Sequence, residues 1–196
     1  LVVVWEDQRG GISGDIYGQR INRSGAMLWD ENSAVIIKAP NRQGEPHLIK
    51  GNQEGIFFLC CKDHRNNTTK EEICIQKIDL SHVKLWEKDL LVTPERQIMN
   101  RPLIAPKGHV GCFLALMDND PIVHATFNGT GVWVMNIDGL GRPIFDPERR
   151  NIIYAAEDLP GVSDLQIAAG RQNDLWLNWR QKLAHDIGLT VRLNAE

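Results

Sequence analysis

Two Asp-x-Arg triplets, Asp7-Gln8-Arg9 and Asp63-His64-Arg65, each close an apolar run and open a loop. A carboxylate two residues before a guanidinium has two uses in such a place. It can join its counterparts in a ring of charge on the face where the loops gather. Alternatively, the Asp accepts backbone N–H bonds within the turn while the Arg pairs with it or with a neighbouring segment. Recurrence at the same place in successive segments favours the second use, because a single ligand rarely needs identical contacts from each. Charge gathers again at Asp118-Asn119-Asp120. If the loops bind a partner, the contact residues expected from charge alone are Asp63, His64, Arg65, Asp118 and Asp120.

Other candidate chemistry is weaker. Asp118-Asn119-Asp120 opens like a calcium loop, but Pro121-Ile122-Val123 follows where such a loop needs a glycine and, later, a bidentate Glu, so a turn is expected. Cysteines at 60, 61, 74 and 112 include no C-x-x-C pair, and the histidines at 47, 64, 82, 109, 124 and 185 form no H-E-x-x-H or His-x-His set. Those histidines read as surface or edge residues. Gly11-Ile12-Ser13-Gly14 is one residue short of a nucleophile elbow. Asn66, Asn67 and Asn128 begin Asn-x-Ser/Thr sequons and serve equally as turn residues. The aromatic positions Trp5, Trp29, Trp86, Trp133, Phe145, Trp176 and Trp179 would suit a sugar platform, yet Trp29, Trp86 and Phe145 share one recurring position, as packing residues do, and the set is expected in the core. The sequence thus nominates no catalytic residue, no cofactor and no metal ligand.

What must position these residues is a recurring strand pattern. Ile16-Tyr17-Gly18-Gln19-Arg20-Ile21-Asn22 reappears as Ile73-Cys74-Ile75-Gln76-Lys77-Ile78-Asp79 and as Val132-Trp133-Val134-Met135-Asn136-Ile137-Asp138, with a fainter copy ending at Arg192-Leu193-Asn194. Ile21, Ile78, Ile137 and Leu193 are separated by 57, 59 and 56 residues. Trp5, Cys61, Met117 and Trp179 end apolar runs at nearly the same step. A third strand is expected at Leu28-Trp29, Leu85-Trp86 and Ile144-Phe145, continuing into Val35-Ile36-Ile37, Leu90-Leu91-Val92 and Ile152-Ile153-Tyr154. A fourth is expected at His47-Leu48-Ile49, Pro102-Leu103-Ile104 and Asp164 to Ile167.

Gly10 to Gly14, Asn66 to Thr69 and Asn128 to Gly131 supply residues that tolerate positive φ between the first two strands. The register carried over from Trp5 and Tyr17 sets Cys61 and Cys74 on adjacent strands, either as a disulfide or as two buried thiols. The runs ending at Trp5, Cys61 and Met117 are apolar throughout, which predicts burial on both faces. Four short strands in each period predict an all-β chain, a β-propeller or propeller segment of about four blades made of four-stranded antiparallel sheets. An immunoglobulin-like sandwich ranks second. The units run approximately over 1–44, 45–99, 100–161 and 162–196, in a single segment expected to belong to a larger ring or to close as four reduced blades.

The chain has 196 residues and a net charge of −3, with no run of five like charges, which argues against a nucleic-acid partner. It lacks the long apolar stretch of a membrane span, so no membrane insertion is expected. The opening Leu1-Val2-Val3-Val4-Trp5 is neither a signal peptide nor an initiator Met, and the expectation is a chain that begins inside something larger. The pattern Trp5-x-Asp7-x-Arg9, Asp15-Ile16-Tyr17-x-Gln19-Arg20-Ile21, Leu28-Trp29 resembles a repeat of bacterial secreted and surface β-propeller proteins. Val132 to Gly139 is similar to the WD40-like repeat of TolB-type proteins. Cys61 and Cys74, Met117-Asp118-Asn119 and Trp179-Arg180-Gln181 depart from that pattern.

The resemblance implies a propeller and an extracellular, cell-surface or periplasmic location. The function expected is a non-catalytic binding or structural module, meeting a protein or glycan through loops on one face beside the remaining blades or domains of a parent chain. The rivals are a propeller of a glycan-active enzyme or an accessory propeller of a peptidase, and a spacer without a ligand.

Overall fold

The computed structural model describes residues 1–11, 13–66, 71–92, 97–98, 102–120, 129–144, 152–155, 162–170, 174–181 and 187–193. Among the described residues the regular elements are all β-strands, in antiparallel sheets. The chain divides into two compact units, Leu1–Pro94 and Glu95–Glu196.

The first unit holds a three-stranded sheet, β1 (Val2–Asp7), β2 (Asp15–Arg20) and β3 (Ala34–Ile37), and a four-stranded sheet, β4 (Gln43–Lys50), β5 (Phe57–Asp63), β6 (Glu72–Ile78) and β7 (Leu90–Val92), each in sequence order. The two sheets pack face to face. Ile16, Ala34, Ile36 and Ile37 of the first meet Leu59, Cys61, Cys74 and Ile78 of the second in one buried cluster. Residues of β5 and β6 are buried on both faces apart from the half-buried Phe57, as the apolar run ending at Cys61 predicts for β5; β6 is buried although it carries Glu72, Gln76 and Lys77. β1 departs from that expectation, being half-buried along its whole length.

In the second unit, β10 (Gly111–Asp120) and β11 (Gly129–Ile137) form a long hairpin. β8 (Gln97–Ile98) and β9 (Leu103–Lys107) pair along the free edge of β10, and β12 (Pro143–Ile144) and β13 (Ile152–Ala155) along that of β11. A three-stranded sheet of β14 (Val162–Ala169), β15 (Leu175–Gln181) and β16 (Ile187–Leu193) completes the unit. Phe113, Ala115, Met117, Val132 and Val134 pack there against Leu165, Leu175, Leu177 and Trp179. β15 alternates, with Leu175, Leu177 and Trp179 buried and Trp176, Asn178 and Arg180 exposed, the pattern of a sheet with one wet face.

The hairpins turn as local chemistry requires. Asn22, Asp79 and Asp138, which share one position of the sequence pattern, each end a strand with the same turn. The side-chain Oδ1 accepts the backbone N–H two and four residues on: Ser24 and Ala26 at 2.9 Å each, Ser81 and Val83 at 2.7 and 3.0 Å, Leu140 and Arg142 at 2.9 Å each. The residue three positions on takes positive φ in every case, at Gly25, His82 and Gly141. An Asx side chain stabilises such a turn by replacing a backbone acceptor.

Two expectations are corrected. Leu28-Trp29 and Leu85-Trp86 are not strand; single bridges at Ile21–Met27 and Ile78–Lys84 stand just before them, and pairing resumes at β3 and β7. Asp118-Asn119-Asp120 is not a turn but the end of β10, opposite Gly131, Thr130 and Gly129. The hairpin therefore extends past the glycines expected to reverse it.

Candidate functional site

The charged groups at the loop ends of β1 and β5 form two hydrogen-bonded knots in the first unit. At the end of β1, the Asp7 carboxylate accepts the Arg9 backbone N–H at 2.9 Å, the Arg9 guanidinium at 2.5 Å and the Trp5 indole N–H at 3.0 Å. Hydrogen bonds from Arg9, then Trp5, hold Asp7 well below the usual carboxylate range. The Arg9 guanidinium also donates to the Asn32 carbonyl and lies 4.4 Å from the centre of the Tyr17 ring.

The end of β5 repeats the arrangement in a dry setting. Asp63 accepts the Arg65 backbone N–H at 2.8 Å, the Arg65 Nε and Nη2 at 3.0 and 2.7 Å, and Gln43 Nε2 at 3.3 Å. Arg65 Nη2 also reaches Asp89 Oδ2 at 3.0 Å and Cys74 Sγ at 3.4 Å. Arg65 thus covers Cys74 as Arg9 covers Tyr17. Burial by itself pulls the Arg65 guanidinium down, but the hydrogen bond with Asp63 and the surrounding negative charge outweigh it and leave it above its ordinary value. Burial likewise pushes Asp89 up, and the donors Lys84, Gln76 and Arg65 outweigh it, so its carboxyl lies below the ordinary range.

The environments differ because of what covers each face. Side chains alternate across a sheet, so Trp5, Asp7 and Tyr17 lie on the face of the first sheet turned away from Ile16 and the shared core. Cys61, Asp63 and Cys74 lie on the face of the second sheet that the first sheet covers. Asp63 is fully buried, whereas the Arg9 side chain keeps 42% of its exposure.

Cys61 and Cys74 are directly opposite in the β5–β6 register, as Trp5 and Tyr17 are in β1–β2. Both stand as thiols. The Cys74 thiol is pushed up by its hydrogen bond with Cys61 and by burial, which keeps it protonated. Cys61, Asp63 and Cys74 place one donor atom each within 4.8 Å of one another, a set that would suit a thiophilic metal. The cation these groups meet is the Arg65 guanidinium, which contacts both Asp63 and Cys74.

Of the residues expected from charge, Asp63 and Arg65 are brought together and committed to each other. His64, between them, is half-buried, and its Nδ1 is a buried atom with no hydrogen-bond partner. Asp118 and Asp120 lie in the strand β10, and their side chains fall outside the described residues. Asn67 and Asn128 fall outside them as well, while Asn66 is exposed. Among the aromatic positions, Trp86 and Trp179 are buried, Trp5, Trp29 and Trp133 are half-buried, and Phe145 is outside the described residues. Trp176, expected in the core, is 42% exposed on the wet face of β15, with Arg192 5.7 Å from its ring.

Sequence reasoning missed Gln19 and Gln76. Gln19 Oε1 accepts the Trp29 N–H at 2.9 Å and its Nε2 donates to the Asp30 carbonyl at 3.0 Å. Gln76 accepts the Trp86 N–H at 3.2 Å and donates to Asp89 Oδ1 at 3.0 Å. Each glutamine thereby holds the irregular segment between two strands of its sheet. The signal was available, because both occupy the same position in the aligned segments. No family model, no curated protein and no solved structure matches this chain.

Proposed function

We propose that this chain is a non-catalytic binding or structural β-propeller module of an exported bacterial protein, presenting hairpin loops on one face to a protein or glycan. The observation that supports this reading is the duplicated Asp-x-Arg knot. In two successive sheets the charges nearest the loops are committed to each other and to the neighbouring strand, so they act as devices that build each sheet and set the loops. Variation between the sheets then falls to the loops, where recognition resides in repeat architectures.

The test is a binding screen of the purified chain against a glycan array and bacterial surface polysaccharides. A companion variant has residues 121–128 replaced by a two-residue Asn-Gly turn. Saturable binding that the variant loses, with its thermal transition retained, supports recognition through a loop. Release of new reducing ends from the bound glycan by the parent chain, abolished by carboxylate substitutions, would replace this reading with the glycan-active enzyme.

A further inference from the structure

We propose that Cys61 and Cys74 are a disulfide-forming pair, a covalent staple between β5 and β6 at the position where the first sheet sets Trp5 against Tyr17. The two cysteines are direct cross-strand partners. Residues opposite one another in an antiparallel pair have Cα atoms about 4.5–5.5 Å apart, inside the span of about 4.4–6.8 Å that a disulfide bridges. Their sulfurs are within 4.8 Å of each other, both residues are fully buried, and both lie on the face covered by Ile16, Ile36 and Ile37. In the first sheet this position carries two large aromatic side chains directly opposite one another. Two small thiols offer far less side-chain surface there, and a covalent bond would supply a tie between the strands.

The same geometry sets the specificity. Cys60 is adjacent in sequence but points to the opposite face of β5, where its partner is Ile75. Cys112 belongs to the other unit. The oxidant is a small-molecule or protein disulfide. One cysteine thiolate attacks it and expels a thiolate, giving a mixed disulfide. The second cysteine then attacks the cysteine sulfur of that mixed disulfide and expels the other half of the oxidant. Two thiols become one disulfide, and two electrons and two protons leave on the two thiols released. Burial in the folded sheet excludes the oxidant, so the exchange takes place before β5 and β6 close, during folding.

The experiment is refolding of the full chain from denaturant in glutathione buffers, either mostly oxidised or mostly reduced. Samples are unfolded in guanidinium chloride containing N-ethylmaleimide, so that every free thiol is labelled, and labels are counted by intact-mass spectrometry. The same is done for Cys60→Ser, Cys61→Ser and Cys74→Ser. In the oxidised buffer the parent chain and Cys60→Ser are expected to lose two labels. Their melting temperature should rise by roughly 5–10 °C, the effect of closing a short loop in a chain of this size, and should fall back on reduction. Cys61→Ser and Cys74→Ser should show neither change. Four labels on the oxidised parent chain, a bridge that includes Cys60 or Cys112, or a bridge that leaves the melting temperature unchanged or lower each overturns the proposal. The label count of the parent chain decides the matter even where a serine variant does not fold, and it is independent of any ligand.

Discussion

Replacing Asp63 by Asn changes the charge of a side chain that is fully buried while keeping its size. Among the described residues the carboxylate accepts four hydrogen bonds, three of them from Arg65 and one from Gln43. An amide keeps one acceptor oxygen and turns an NH2 group toward a guanidinium or toward Gln43, whichever way it sits. Breaking a buried charge pair from one side costs about 3–5 kcal/mol, because the remaining charge keeps its desolvation penalty. Arg65 retains Asp89 at 3.0 Å, which places the expected loss near the lower end of that range.

With a urea slope of about 1–3 kcal/mol per molar, the midpoint should fall by 1 M or more. Asp7→Asn makes the matching change at the knot where the Arg9 side chain is 42% exposed. Water takes over the lost bonds there, and the midpoint should move much less. Urea denaturation of both variants, followed by far-UV circular dichroism and tryptophan fluorescence, checks the pair. An Asp63→Asn midpoint within experimental error of the parent chain, or an Asp7→Asn loss as large as that of Asp63→Asn, would refute the argument that the covering sheet makes the second knot structural.

Two further outcomes are expected. Trp86 is 5% exposed and packs near Phe58, so Trp86→Ala should lower stability by about 3–5 kcal/mol. Trp29→Ala, at the equivalent but half-buried position, should cost less, and equal midpoint shifts in urea would contradict the burial contrast. Acid should weaken the first unit through Asp89. Its folded-state carboxyl lies below the ordinary value, so its contribution is present above about pH 4 and is lost as pH falls through the folded value. The parent chain should therefore hold its urea midpoint from pH 7 to 5 and lose it below about pH 4. Asp89→Asn should start lower at neutral pH and converge with the parent in acid; parallel curves would remove Asp89 from the account.

Much of the architecture was legible from local chemistry. Apolar runs such as Ile56 to Cys61 and Cys112 to Met117 marked the strands, since few other elements need so short a stretch buried on both faces. The opposition of Cys61 to Cys74 followed from that of Trp5 to Tyr17, because hairpin register copies with the hairpin. The end of β10 was not legible. Asp118-Asn119-Asp120 has turn chemistry, and it stays in strand because β11 pairs with all three residues and β8 with Asp118 and Asn119. Nor was the exposure of Trp176, which depends on whether anything covers that face of β15.

The amino-acid sequence by itself determined an all-β chain, most of its strand positions and the pairing of Asp with Arg two residues on. All of these depend on residues close in sequence or on one hairpin. Only the tertiary structure decided that the knot at Asp63 is dry and the one at Asp7 wet, that the two thiols meet beneath a covering sheet, and that Trp176 faces solvent. Burial belongs to whatever lies over a face, and the same Asp-x-Arg spacing acquires different energetics when one copy is covered by a second sheet and the other is not.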